Sequence, residues 1–392
     1  MLAHPWAPGP PMRVVAGAAP SERKGRCGMT IRSEGAALHG RRRWPSSGIA
    51  VLLTGVVVAA MLLARPALAA EVTLKIHHFL PADAAVPSEF IGPWARKVEA
   101  ASNGRIAFAI HPDMELGGHP PALLDQLADG TADIVYAVPS YSPGRFPRTE
   151  ALEMPFLPAS AEVTSRAAWD FFKAHLGEEY ADYKIIAINV HGPGRIHVKG
   201  KGVSSLEDLE GLKLRGPTGM VNALMVKLGA IAVGMPVSDV MPALEKGLVE
   251  GTLAPWEIIG TLGIIDAVDA HTEFSGERGL YTVPLVFAMR RERFEALPKD
   301  LQAVIEANSG ADVSADIGRI MDEADRRAKS RAQDRGDTFI TLNAAETNRW
   351  KAAAASVVTA WEKDMAARGI DGAALTKAAR DLVAKYAGTH SD

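Results

Sequence analysis

Residues 72–76 (Val, Thr, Leu, Lys, Ile) alternate apolar and polar side chains with the period of two that suits a half-buried strand. After His77, His78 and Phe79 a proline-bounded loop leads to positions 88–98, where Phe90, Ile91, Trp94 and Val98 recur at helical spacing. Asn103 and Gly104 turn the chain into a second strand over 106–110, and a helix over 121–128 precedes the nearly continuous apolar run 133–138. A helix over 161–175, carrying Trp169, Phe171 and Phe172, then leads to an apolar strand over 184–190. Uninterrupted apolar strands separated by helices predict a parallel sheet covered on both faces.

A second α/β unit follows. The polar approach 203–210 suits a short capped helical turn, and it runs into a strand over 212–215 in which Leu212 and Leu214 alternate with Lys213 and Arg215. The pattern continues with a helix over 221–228, a short extended piece over 232–236, a helix over 240–247 and a strand over 249–253. Residues 281–289 read as another strand, in which Pro284 predicts an edge position or a bulge. Everything beyond Pro298 reads as helical: 300–307, a long charged stretch over 313–335, and 346–363. The acidic and basic run from Asp322 to Arg327 is expected to be a solvated helix face laced by i,i+4 pairs.

The first seventy residues do not read as fold. Arg41, Arg42 and Arg43 precede an apolar run over 48–64 that ends in Ala67-Leu68-Ala69, the signature of a secretory signal peptide cleaved after Ala69. An uncleaved anchor is the alternative, Met29 is a second candidate start, and the arginine triplet leaves both the general secretory and twin-arginine routes open. Removing this segment changes the charge balance. It holds nine of the 43 Lys and Arg and two of the 46 Asp and Glu, so 34 cations face 44 anions in the remainder, which argues against a nucleic-acid partner. The single cysteine, Cys27, lies within the leader, which excludes disulfides and thiol chemistry from the secreted chain.

Ligands of open α/β sheets bind at the carboxyl ends of strands, which makes His78, Phe79, Ser140, Tyr141 and Arg195 candidates in the first half. In the second half Arg215 stands where Gly216 and Pro217 end a strand ladder, a place from which a guanidinium fork can take a carboxylate through two parallel hydrogen bonds. The plain alternative for Arg215 is a surface ion pair. Trp256 and Glu257 follow the strand over 249–253 and are expected to face the same cleft, with Trp256 as a rigid apolar wall. Gly-x-Ser-x-Gly, His-Glu-x-x-His and strand-linked Gly-x-Gly-x-x-Gly are all missing, and the stretch from Gly194 to Lys201 departs from a phosphate loop in spacing. Adjacent His77 and His78 on a strand point to opposite faces, so no metal site and no cofactor are expected.

Taken in order, residues 209–215 (Leu-Glu-Gly-Leu-Lys-Leu-Arg), Leu228-Gly229-Ala230, Met235-Pro236-Val237 and the run from Ala243 to Gly251 are similar to the solute-binding subunits of tripartite ATP-independent periplasmic (TRAP) transporters. Residues 127–133 and 297–302 extend the resemblance over essentially the whole chain after residue 70. The resemblance implies an α/β, two-domain periplasmic-binding-protein-like fold with a ligand cleft between the lobes and a helical C-terminal region. The expected division is a signal peptide over 1–69, a first lobe over 70–192 plus about 281–310, a second lobe over 193–280, and C-terminal helices over 311–392 packing across both. It further implies a periplasmic protein, monomer or homodimer, that closes on an organic acid and delivers it to TRAP membrane permease subunits. Arg215 matches the arginine that makes the central two-pronged salt bridge to the ligand carboxylate, and Arg195 matches a second, less constant arginine. Ala254 stands where many members carry a side-chain amide, and Glu250 replaces an aspartate, so the resemblance points away from sugar acids and toward an acid with an apolar or aromatic body. A binding protein of an ATP-driven importer or a sensor is the nearest alternative; an extracytoplasmic hydrolase or lyase using Glu257 or His78 as base is the more distant one.

Overall fold

A computed structural model describes residues 70–388, so the leader expected over 1–69 lies outside the described residues. Eleven strands are present among these residues. They are β1 (Val72–His78), β2 (Ile106–His111), β3 (Ile134–Ala137), β4 (Tyr183–Val190), β5 (Arg195–Val198), β6 (Lys213–Gly216), β7 (Ile231–Gly234), β8 (Gly251–Ala254), β9 (Ala270–Phe274), β10 (Pro284–Arg290) and β11 (Thr338–Leu342). They form two sheets, one ordered β2-β1-β3-β10-β4 and the other β11-β9-β5-β8-β6-β7. Each sheet is flanked by helices, which makes the protein a two-lobed α/β molecule.

The first sheet is mixed rather than wholly parallel. β1 runs parallel to β2 and β3, but β10 inserts antiparallel between β3 and β4, pairing Phe287 with both Tyr136 and Ala187. β10 is therefore interior, not the edge strand that its proline suggested. Pro284 is tolerated because it is the first residue of the strand, where a missing N–H costs little, and the register irregularity lies further on, between Phe287 and Ala288. Its burial explains the unbroken apolar run: every residue from Pro284 to Met289 is buried.

The C-terminal region is not entirely helical. β11 follows the helix Ala311–Arg335 and pairs parallel with β9, matching Phe339 with His271, so a strand from the far end of the sequence completes the second sheet. Two other strands, β5 and β9, are four and five residues long, too short to give a clear period from sequence.

The helix Ala311–Arg335 is more than a solvated surface element. Asp322 accepts hydrogen bonds from the backbone N–H groups of Ala161 and Glu162 at 2.8 and 2.9 Å, at the N-terminus of the helix Ala161–His175. One turn later Asp325 accepts from Glu257 N at 2.6 Å, in the first turn of the helix Trp256–Thr261. Carboxyl oxygens at helix N-termini satisfy orphan backbone donors. The first of these helices leads into β4 and the second leaves β8, so two acidic residues of a single helix hold one element from beside each sheet. Gly318 permits this approach, because a Cβ there would lie 2.5 Å from the Ala161 carbonyl oxygen. The connection between the sheets is equally tight: between β4 and β5 runs His191-Gly192-Pro193-Gly194, where a Cβ on Gly192 would meet Asp325 Oδ2 at 1.9 Å and one on Gly194 would meet the Tyr281 ring at 2.0 Å.

Candidate functional site

The ends of several strands converge on one cavity. Phe79 and Leu80 follow β1, Val138 and Tyr141 follow β3, His191 follows β4, Arg215 lies in β6, Pro255 and Glu257 follow β8, and Tyr281 and Val283 precede β10. This is the carboxyl-end geometry expected of open α/β sheets. The cavity holds about 500 Å³ of empty space, part of it open to solvent. Its wall is mostly apolar, and Ile258, Leu285 and Met321 add to it.

Arg215 is the cationic group in that wall, and it is only 2% exposed. A guanidinium has five N–H donors. Nε donates to the Met235 carbonyl at 3.0 Å, Nη1 to the Leu253 carbonyl at 3.1 Å and Nη2 to the Tyr141 hydroxyl at 3.5 Å, which leaves one donor on each terminal nitrogen. These carbonyl bonds fix the fork without neutralising it, and no ion pair among the described residues includes Arg215. A buried charge without a counter-charge is costly, so the arrangement favours an incoming anion. Tyr141 accepts in turn from Val237 N at 3.2 Å, so its hydroxyl links the segment after β3 to the second sheet's side of the cavity.

Tyr281 supplies a second polar atom. Its ring is fully buried, its hydroxyl has no hydrogen-bond partner, and burial pushes its ionisation upward, so it stays a neutral donor. A hydroxyl left unpaired beside an unneutralised arginine suits a carboxylate bound between them. Tyr281→Phe is expected to weaken carboxylate binding about tenfold and to leave the melting temperature unchanged or raised, since an unsatisfied buried group is removed. Calorimetric titration alongside a melting curve checks both parts.

Glu257 also faces the cavity. Burial raises its carboxyl to about 7, although Thr261 Oγ1 donates to it at 3.4 Å. Asp325, whose carboxyl is pushed to about 8 by burial and by the nearby Glu257, sits behind it. Glu153 is raised to about 8 by burial; it takes a hydrogen bond from Thr218 Oγ1 at 2.5 Å and another from Ser140.

Of the eight residues expected at the site, Arg215, Tyr141, Phe79 and Glu257 line this cavity and four do not. Ser140 is turned to Glu153. His78 is fully buried in β1 with both ring nitrogens unpartnered, and burial lowers its pKa to about 4. Arg195 and Trp256 lie together in a separate surface groove, where both donate to Glu273, at 3.4 and 3.0 Å. The indole packs 4.5 Å from the His271 ring and stacks 5.5 Å from Phe339. Trp256 begins a helix, with Pro255 as its N-cap, so successive side chains are splayed around the helix axis: Pro255 and Glu257 reach the cavity, and Trp256 is turned to the groove. Sequence reasoning missed His191 and Tyr281. His191 follows the strand predicted over 184–190, so the carboxyl-end rule could have found it, whereas Tyr281 falls inside the strand predicted over 281–289 and in the structure precedes β10.

No group of three or more His, Cys, Asp or Glu among the described residues is placed to hold a metal ion, and no helix among them is long and apolar enough to cross a membrane. Residues 77–364 match the bacterial extracellular solute-binding protein family 7. The chain belongs to that family. Its members are the extracytoplasmic binding proteins of TRAP transporters, and the two-lobed fold with a cavity at the strand ends is theirs. A TRAP solute-binding protein from a marine metagenome, crystallised with 3-hydroxybenzoate and described as specific for aromatic acid ligands, is 43% identical with a TM-score of 0.79, covering 81% of this chain and 99% of that one. A TRAP solute-binding protein from Rhodoferax ferrireducens in complex with copurified benzoate is 40% identical, with the same TM-score and the same coverage. One from Bordetella bronchiseptica with bound (R)- and (S)-mandelate is 26% identical at a TM-score of 0.74, covering 80% of this chain and 99% of that one.

Proposed function

We propose that this solute-binding protein captures an aromatic carboxylic acid between its lobes, with the carboxylate held by Arg215 and the ring enclosed by Phe79, Leu80, Val138, Val237 and Ile258. The observation that carries the reading is Arg215 itself: a 2% exposed guanidinium with a donor free on each terminal nitrogen and no counter-charge, in the wall of an apolar cavity. The carboxylate supplies the missing charge, and the apolar wall supplies the transfer free energy of the ring. The relatives that bind benzoate and 3-hydroxybenzoate support the same class of ligand. Export by the leader, with cleavage after Ala69, places the protein in the periplasm. Closure of the lobes presents the loaded form, as monomer or homodimer, to the TRAP permease subunits, and the protein has no catalytic role.

A thermal-shift panel of benzoate, phenylacetate, succinate, galactonate and pyruvate tests this reading, since a ligand that binds only the native state raises the melting temperature. Shifts confined to the aromatic acids support it, and shifts confined to sugar acids or dicarboxylates overturn it.

The buried carboxyl of Glu257 adds a pH dependence. Its folded pKa, about 7, is raised above the usual carboxylate value, so it is protonated below that pH and adds a negative charge to the cavity above it. A bound carboxylate repels the ionised form, so benzoate affinity is expected to fall roughly 3- to 10-fold from pH 6 to pH 8.5. Glu257→Gln is expected to reduce that dependence in calorimetric titrations across the range, leaving the part due to Asp325 behind it, whose carboxyl is raised to about 8. The same sign holds for stability: the contribution of protonated Glu257 is fully present below the unfolded pKa and is lost as pH rises through about 7.

A further inference from the structure

His191 occupies the wall of the Arg215 cavity in a fixed tautomer. Its Nδ1 lies 2.5 Å from the Gly192 carbonyl oxygen and 3.4 Å from Thr282 Oγ1, and the Thr282 hydroxyl donates its own proton to the His191 carbonyl at 2.7 Å. Two acceptors facing one ring nitrogen require a proton there. The neutral ring is therefore the Nδ1–H form, and Nε2 carries a lone pair. Nε2 has no hydrogen-bond partner among the described residues, while the residue itself lines the cavity. Burial and the nearby Arg215 lower the His191 pKa to about 4, so the lone pair persists across the neutral range. The ring is held upright by an edge contact, 5.5 Å between centroids, with Tyr281.

The polar groups around this end of the cavity are unequal in kind. Arg215 and Tyr281 offer donors, which a carboxylate consumes. His191 offers an acceptor, which neither a carboxylate nor an unsubstituted ring can satisfy. Resting on the aromatic-acid reading above, we infer that the bound acid carries a hydroxyl that donates to His191 Nε2, and that His191 is the residue that selects hydroxylated aromatic acids over their unsubstituted counterparts. An acceptor facing a ligand disfavours molecules that leave it unpaired on closure.

The test uses matched pairs on the purified protein: benzoate with 3-hydroxybenzoate, and phenylacetate with mandelate, which place the hydroxyl on the ring or beside the carboxylate. A hydroxyl advantage of about tenfold or more in Kd is expected in one of the two pairs, and the pair that shows it locates the hydroxyl. In His191→Phe the ratio of the two affinities within that pair is expected to fall to within threefold, whatever the change in affinity common to both acids. Replacing the hydroxyl by fluorine keeps its size and removes the donor, so weak binding of the fluoro analogue to the wild-type protein supports the inference even where the variant does not fold. Equal affinity for both members of both pairs in the wild type, or an undiminished advantage in folded His191→Phe, overturns it and leaves the aromatic-acid reading standing. Binding of none of the four acids removes that reading, and this inference with it.

Discussion

Arg215→Ala is expected to weaken binding of benzoate-type acids at least a hundredfold while the protein stays folded. Truncation removes both terminal donors and leaves a carboxylate unpaired in a mostly apolar cavity, which costs about 2–5 kcal/mol for a hydrogen-bonded charge pair. At about 1.4 kcal/mol per decade that range spans roughly thirtyfold to several thousandfold, with a hundredfold in its lower half. The fold should tolerate the change at moderate cost, because what is lost internally is hydrogen bonding to the Met235 and Leu253 carbonyls, not a countercharged pair. Arg215→Lys is expected to fail nearly as badly. A single ammonium cannot satisfy two carbonyls and also present two parallel donors to a ligand. Calorimetry beside a melting curve checks both variants, and an unfolded Arg215→Ala protein whose surviving fraction binds normally would make Arg215 structural.

Gly194→Ala is expected to cost both stability and binding. A Cβ at this position would lie 2.0, 2.4 and 2.5 Å from Cε1, Cζ and Cδ1 of Tyr281, so the methyl cannot be accommodated while the ring stays in place. The ring is fully buried against His191, so the space left to it lies towards the cavity, where a displaced ring intrudes on the ligand's place. Gly194 N also donates to the Tyr281 carbonyl at 2.8 Å, which pins the two backbones together. Overpacking of this kind costs about 1–3 kcal/mol, a fall of several degrees in melting temperature. Because the displaced ring carries the unpaired hydroxyl and braces His191, affinity should drop about thirtyfold or more, beyond the tenfold expected for Tyr281→Phe. A double variant, Gly194→Ala with Tyr281→Ala, is expected to regain stability without regaining affinity. Undisturbed binding in Gly194→Ala would mean that Tyr281 does not touch the ligand.

The position of Arg215 at the end of β6 was legible because two signals coincide in eight residues: alternation sets its face, and Gly216 and Pro217 end the strand. The first sheet's strands were legible for a similar reason, since 72–76, 106–110 and 184–190 are long enough to show their period. β11 was not legible, because five residues between two long helices carry too little pattern, and its partner β9 lies more than sixty residues upstream. The acidic run Asp322 to Asp325 has the composition of a solvated face; only the tertiary approach of two helix N-termini turns those carboxylates into caps. Trp256 shows the limit of placement by neighbourhood. It stands between two residues that line the cavity, yet it is turned the other way and is spent on packing against His271 and Phe339. The apolar wall it was expected to provide comes instead from residues after β1 and β3. His191 directly follows β4 and reaches the cavity, whereas Arg195, four residues on, begins β5 and pairs with Glu273 in the groove.

The most direct test of the account is a crystal structure of the protein with benzoate, or with the better ligand of the hydroxylated pair. The carboxylate is expected within hydrogen-bonding distance of both Arg215 Nη atoms and the Tyr281 hydroxyl, with the ring against Phe79 and Val138. A carboxylate paired with Arg195 in the outer groove beside Glu273, with Arg215 untouched, would contradict it.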